Sequence, residues 1–183
     1  MRRLFVFRPE PGASQTIERA RALGLEVASI PLFELEATEW QAPDPREFDG
    51  LLLTSANAVN SATERMEPLR SLPVYAVGEA TALAAEVAGF GVAQVGSGGI
   101  DRLLESVPAD ARLLHLCGED RRPPETPLPI TSVVVYRARA LPAPAGIEHL
   151  PGQVAMVHSP RAARRLAELV GEADRGTVRL AAI

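Results

Sequence analysis

Four corners of this chain place hydroxyls or glycines where a ligand would meet backbone amides. In Leu51-Leu52-Leu53-Thr54-Ser55-Ala56-Asn57, an apolar run of strand length meets Ser55 and then good helix formers. Val154-Ala155-Met156-Val157-His158-Ser159-Pro160-Arg161 repeats that plan around Ser159. Gly78-Glu79-Ala80-Thr81 follows the run Val74 to Val77, and Gly96-Ser97-Gly98-Gly99 precedes a helical pattern from Ile100. A helix that opens directly after a strand directs unpaired N–H groups and the positive end of its dipole above the sheet, and such places hold anions. Thr81 either donates its hydroxyl to a ligand or caps its helix. The glycine loop lacks the spaced fingerprint of a dinucleotide site. Tyr136 closes the β-branched run Thr131 to Val135 and precedes Arg137 and Arg139, so it is either a proton donor flanked by carboxylate-binding groups or a surface tyrosine. Arg8 and Arg161 each follow a strand end, as cleft cations or as solvated turn residues.

The elements that must position these residues alternate. Leu4 to Phe7 reads as a strand, Ser14 to Leu23 as a helix stopped by Gly24, and Glu26 to Ile30 as extended chain. Leu51 to Thr54, Pro73 to Val77 and Val92 to Val95 are expected strands. The helices expected after them are Ala56 to Met66, Ala80 to Ala88 and Ile100 to Ser106. Strand and helix in strict alternation predict an α/β fold with parallel sheets covered by helices.

The plan then recurs. Leu113-Leu114-His115-Leu116 matches Leu4-Phe5-Val6-Phe7, and Val133-Val134-Val135-Tyr136 matches Ile30-Pro31-Leu32-Phe33. The Ser159 turn matches the Ser55 turn, and Leu180 to Ile183 matches Val74 to Val77, which reads as a duplication. Because Val77 leads into Gly78 and a helix, the second copy is expected to be truncated inside its last strand, with residues beyond Ile183 missing.

Composition narrows the function classes. With 183 residues, 46% of them hydrophobic, the chain can bury a substantial core. Its net charge of -4 argues against nucleic acid, and its 19 basic residues are all arginine. No apolar stretch reaches membrane-spanning length, the opening strand is too brief for a secretory signal, and a cytoplasmic location is expected. The single cysteine, Cys117, continues an apolar strand and is expected to be buried and inert. His115 lies inside an apolar run, His149 in a proline-rich loop, and His158 at the Ser159 turn; none has partners at metal-ligand spacing, so no metal is assigned.

Taken in order, Arg8-Pro9, Leu53-Thr54-Ser55-Ala56-Asn57-Ala58-Val59, Ala76-Val77-Gly78-Glu79-Ala80-Thr81-Ala82, Val135-Tyr136-Arg137 and His158-Ser159-Pro160 resemble the uroporphyrinogen-III synthase family. The resemblance implies two similar parallel-sheet α/β domains joined by a two-stranded linker, with the chain crossing twice. Residues 1–33 plus 138–183 would form one domain and 36–134 the other, with linker strands near 31–37 and 132–140. It implies a lyase that closes hydroxymethylbilane to uroporphyrinogen III with inversion of ring D through a spiro intermediate. It further implies no cofactor, a small-molecule substrate, no nucleic-acid or membrane partner, and a monomer. Tyr136 matches a tyrosine assisting departure of the hydroxyl. Arg8, Ser55, Ala56, Asn57, Thr81, Gly98, Ser159 and Arg161 would bind substrate. Weak activity is expected if the chain ends at Ile183. The alternative is a non-catalytic two-lobed binding or regulatory module for an acidic metabolite.

Overall fold

A computed structural model of the chain describes residues 2–10, 12–121, 123–142 and 144–183, with Thr63 described by its backbone alone. Two parallel sheets organise it, one of four strands and one of six. The chain divides into two compact units: residues up to Glu34 together with Arg139–Ile183, and Leu35–Ala138.

The second unit begins inside β3 (Phe33–Ala37), at Leu35, continues through β4 (Gly50–Leu53), α2 (Ala56–Ala62), β5 (Val74–Val77), α3 (Glu79–Val87), β6 (Val92–Gly96), α4 (Ile100–Leu104) and β7 (Leu113–Gly118), and ends inside β8 (Ile130–Ala140), at Ala138. The strands lie in the order β3-β8-β7-β4-β5-β6. Strand β4 is central and parallel to β5 and β7, and its apolar run is unbroken because helices cover both faces. Leu51 and Leu53 pack with Val59, Met66 and Ala82, whereas Leu52 packs with Leu103, Leu104 and Leu113. All three leucines are fully buried, each contributing about 1.5–3 kcal/mol relative to exposure.

The first unit holds β1 (Leu4–Val6), α1 (Gly12–Ala22), β2 (Val27–Ser29), β9 (Val154–Val157), α5 (Pro160–Leu169), α6 (Glu172–Arg175) and β10 (Arg179–Ala182). Its sheet runs β10-β9-β1-β2, all parallel. Its registers repeat those of the larger sheet. Leu4 pairs with Val154 as Leu113 pairs with Gly50, and Ala155 pairs with Leu180 as Leu51 pairs with Val74. Val6 pairs with Ser29 as His115 pairs with Ser132.

Strands β3 and β8 are hydrogen-bonded neighbours that cross the division between the units. Within the second unit, Arg137 bonds Glu36 at 3.0 Å and the Thr38 amide donates to the Val135 carbonyl. Within the first, Arg139 reaches Glu34 at 2.8 Å.

The expected helix from Ala56 to Met66 is shorter: α2 stops at Ala62 and a 3-10 segment, Thr63–Leu69, follows. Pro68 lies inside that segment and offers no N–H, and in a continued α-helix its ring would crowd the carbonyl four residues back. Helix α4 likewise ends at Leu104, short of Ser106. Strand β8 continues past Tyr136 to Ala140.

Candidate active site

In an open parallel sheet, ligands bind beyond the carboxyl ends of the strands where the strand order reverses direction. In the larger sheet that point lies between β4, whose successors β5 and β6 extend to one side, and β7, which continues to β8 on the other. Ser55 directly follows β4. Its Oγ accepts the Asn57 amide at 3.2 Å and its carbonyl accepts the Ala58 amide at 3.1 Å, so the turn is fixed by the hydroxyl and the carbonyl of one residue. Ala56 and Asn57 form the first turn of α2, both half-buried.

One strand further, Gly78 adopts φ +89° as the residue capping α3, and no side-chain bond closes that helix end. Thr81 is therefore not a cap. It stands in the first turn of α3 with 4% exposure. Gly98 is exposed in the turn after β6. Its neighbour Gly99 has φ +92°, and a side chain at Gly98 would meet the Arg102 Cδ at 2.7 Å.

On the other side of the reversal, Tyr136 of β8 pairs in register with Gly118, the last residue of β7. The ring rests on that glycine: a Cβ at Gly118 would fall 2.7 Å from the Tyr136 Cζ and 2.9 Å from its hydroxyl. Tyr136 is half-buried and packs against the core that contains Leu53 and Leu116. Its flanking Arg137 is held by Glu36. Ser55, Ala56, Asn57, Thr81 and Gly98 thus follow strands β4, β5 and β6 along one carboxyl edge, and Tyr136, inside β8, stands level with the end of β7.

The smaller sheet reverses between β1 and β9. Arg8 lies beyond β1, its guanidinium folded over Gly12 at the start of α1, with Nη1 donating to the Thr16 Oγ1 at 3.4 Å. Ser159 caps α5, accepting the Ala162 amide at 3.1 Å, so its hydroxyl is engaged by its own helix. Arg161 is not a solvated turn residue: its guanidinium lies 4.5 Å from the centre of the Phe33 ring. His158 is held below the usual histidine range by burial and by the Arg8 charge.

The contact between His115 and Thr54 escaped the sequence reading. His115, 1% exposed, approaches Thr54 with its Nε2 3.1 Å from the Thr54 Oγ1. Burial, aided by the Arg121 charge, pushes its pKa down to about 4. Cys117 is buried, burial raises its thiol pKa, and its Sγ donates to the Val133 carbonyl at 3.3 Å. Among the described residues, no group of three or more His, Cys, Asp or Glu could hold a metal ion. No described helix is long and apolar enough to cross a membrane.

The model of the family "uroporphyrinogen-III synthase HemD" matches residues 14–183. The chain belongs to that family. Its activity is accordingly that of uroporphyrinogen-III synthase, a lyase-type cyclisation in tetrapyrrole and heme biosynthesis, and the non-catalytic module is not favoured. A mutant uroporphyrinogen III synthase from the extremely thermophilic bacterium Thermus thermophilus shares the fold, with a TM-score of 0.55 at 19% identity over 98% of this chain and 84% of that chain. The wild-type enzyme of that organism aligns with a TM-score of 0.47 at 20% identity, over 99% of this chain and 84% of the other. No curated protein matches the chain.

Proposed function

We propose that the carboxyl edges of the two sheets are the substrate-binding surfaces of this uroporphyrinogen-III synthase, and that Tyr136 assists the first chemical step. The observation that carries this reading is that Ser55, Thr81 and Gly98 follow the ends of β4, β5 and β6 while Tyr136 is paired with the last residue of β7, on the two sides of a reversal of strand order. Hydroxymethylbilane carries carboxylates, and the amides of Ala56 in α2 and of Glu79 and Ala80 in α3, ahead of the Asn57 and Thr81 amides engaged within the turns, are the proposed backbone donors. On the smaller sheet, Arg8, Ser159 and Arg161 are the proposed carboxylate-binding residues.

Tyr136 would donate a hydrogen bond or proton to the terminal hydroxyl, which departs as water and leaves an electrophilic azafulvene. Attack by the substituted carbon of ring D forms the spiro intermediate, which fragments and recloses with that ring inverted. Spontaneous closure without inversion competes, so holding the substrate's conformation is the protein's main contribution.

The finer architecture belongs to the same proposal. Residues 1–33 plus 138–183 and residues 36–134 form two α/β domains of one design, connected through the strands near 31–37 and 132–140. The matching registers and the β3–β8 pairing support it. A monomeric cytoplasmic enzyme, with no nucleic-acid partner, completes the reading.

The test is Tyr136→Phe. Turnover of fresh hydroxymethylbilane should fall by about a hundredfold to ten-thousandfold, the usual contribution of a general acid, with the thermal transition unchanged. Undiminished kcat would remove Tyr136 from the mechanism.

A further inference from the structure

The fold does not need a histidine at position 115. Its neighbours Leu113, Leu114, Leu116 and Cys117 are all apolar and buried, and the equivalent register slot of the smaller sheet is filled by Val6, itself fully buried. An imidazole there is desolvated, and its Nδ1 is buried with no hydrogen-bond partner among the described residues. Its other nitrogen has one: Thr54, across the β4–β7 boundary where the strand order reverses.

That single contact fixes the polarity of the pair. A proton on Nδ1 would bury an N–H donor without an acceptor, whereas a proton on Nε2 leaves only a bare lone pair there and lets the ring donate to Thr54. Burial and the Arg121 charge keep the ring from taking up a second proton near neutrality. Once the Thr54 oxygen accepts from His115, its own proton is left for another acceptor. Thr54 is half-buried and immediately precedes the Ser55 turn, so that acceptor can come from outside the sheet.

We propose that His115, as its Nε2–H tautomer, is a positioning residue that turns Thr54 into a fixed hydroxyl donor for a carboxylate of the substrate. This rests on the reading of the larger sheet's carboxyl edge as a substrate surface. His115 touches no substrate and acts through Thr54. The donor supplies a side-chain contact at the reversal itself, where the Asn57 and Ala58 amides are already taken by Ser55.

Four variants and one spectrum decide it. His115→Leu and Thr54→Val should each raise the KM for hydroxymethylbilane about tenfold, the range of one hydrogen bond to a charged group, with kcat within about twofold. The double variant should be no worse than either single one. His115→Gln, which retains a donor at the position of Nε2, should restore KM. His115→Leu should also keep or raise the melting temperature at neutral pH, because it removes an unpartnered buried polar atom. Long-range proton–nitrogen NMR of the whole wild-type protein should show the Nε2–H form. An unchanged KM in His115→Leu, multiplying effects in the double variant, or an Nδ1–H tautomer would overturn the proposal. A wild-type protein that makes no isomer III would instead strike the substrate reading, and the spectrum would still decide the tautomer.

Discussion

Gly118 is where a single methyl group would reach Tyr136, the residue proposed to assist the first chemical step. Its missing side chain makes the bed for the Tyr136 ring, so Gly118→Ala must push the phenol off its place. We expect a loss of about 1–3 kcal/mol from overpacking and a fall in kcat like that of Tyr136→Phe, read by denaturation and steady-state kinetics on the same preparation. The acid response of the protein also belongs to single residues. His115 is depressed from 6.5 to about 4 in the folded chain, so the unfolded chain binds more protons between those values. Burying the ring neutral carries no protonation penalty above pH 6.5, and as pH falls to about 4 the fold loses on the order of 3 kcal/mol in all. His115→Leu should flatten the fall of melting temperature across that window. Asp49, which the Arg112 guanidinium and amide hold down to about 2, acts lower: its stabilisation is present above 3.8 and is lost as pH falls toward 2. Tyr136 was legible in sequence as a phenol at the end of a β-branched run. Gly118 beneath it, His115 behind Thr54 and Phe33 beneath Arg161 were not, because each pairing joins residues far apart in the chain.

At the scale of elements, strand-to-helix turns do the positioning, and they do it by different means. The Ser159 turn uses a side chain: the hydroxyl caps α5. Ser159→Ala should cost about 1 kcal/mol in chemical denaturation, the worth of an N-cap. The turn before α3 uses backbone freedom instead. Gly78 holds φ +89° with no atom near a would-be Cβ, so Gly78→Ala would be resisted by backbone strain alone. A loss of about 1–2 kcal/mol is expected, with a raised KM as Thr81 shifts; an unchanged denaturation midpoint would show that the turn relaxes freely. The corners were readable because an apolar run followed by Ser or Gly and helix formers has few other solutions. Helix lengths were less so. Pro68 keeps the α-helix from running on to Leu69 but does not account for its end at Ala62, and α6 is too short to leave a periodic pattern.

For the whole molecule, the run lengths and the internal repeat made the parallel α/β class legible, and the repeat aligned the strands in the registers they adopt. The pairing of β3 with β8 was reached only through the family resemblance. The run after Phe33, Glu34-Leu35-Glu36, alternates charge with a single leucine and carries little strand signal of its own. The central claim is that this chain directs ring closure with inversion. Fresh hydroxymethylbilane should be incubated with the 183-residue protein, the product oxidised to porphyrin, and the isomers separated. The account predicts isomer III in excess over the spontaneous isomer I, in proportion to protein added; isomer I alone, at the rate of a protein-free control, would contradict it.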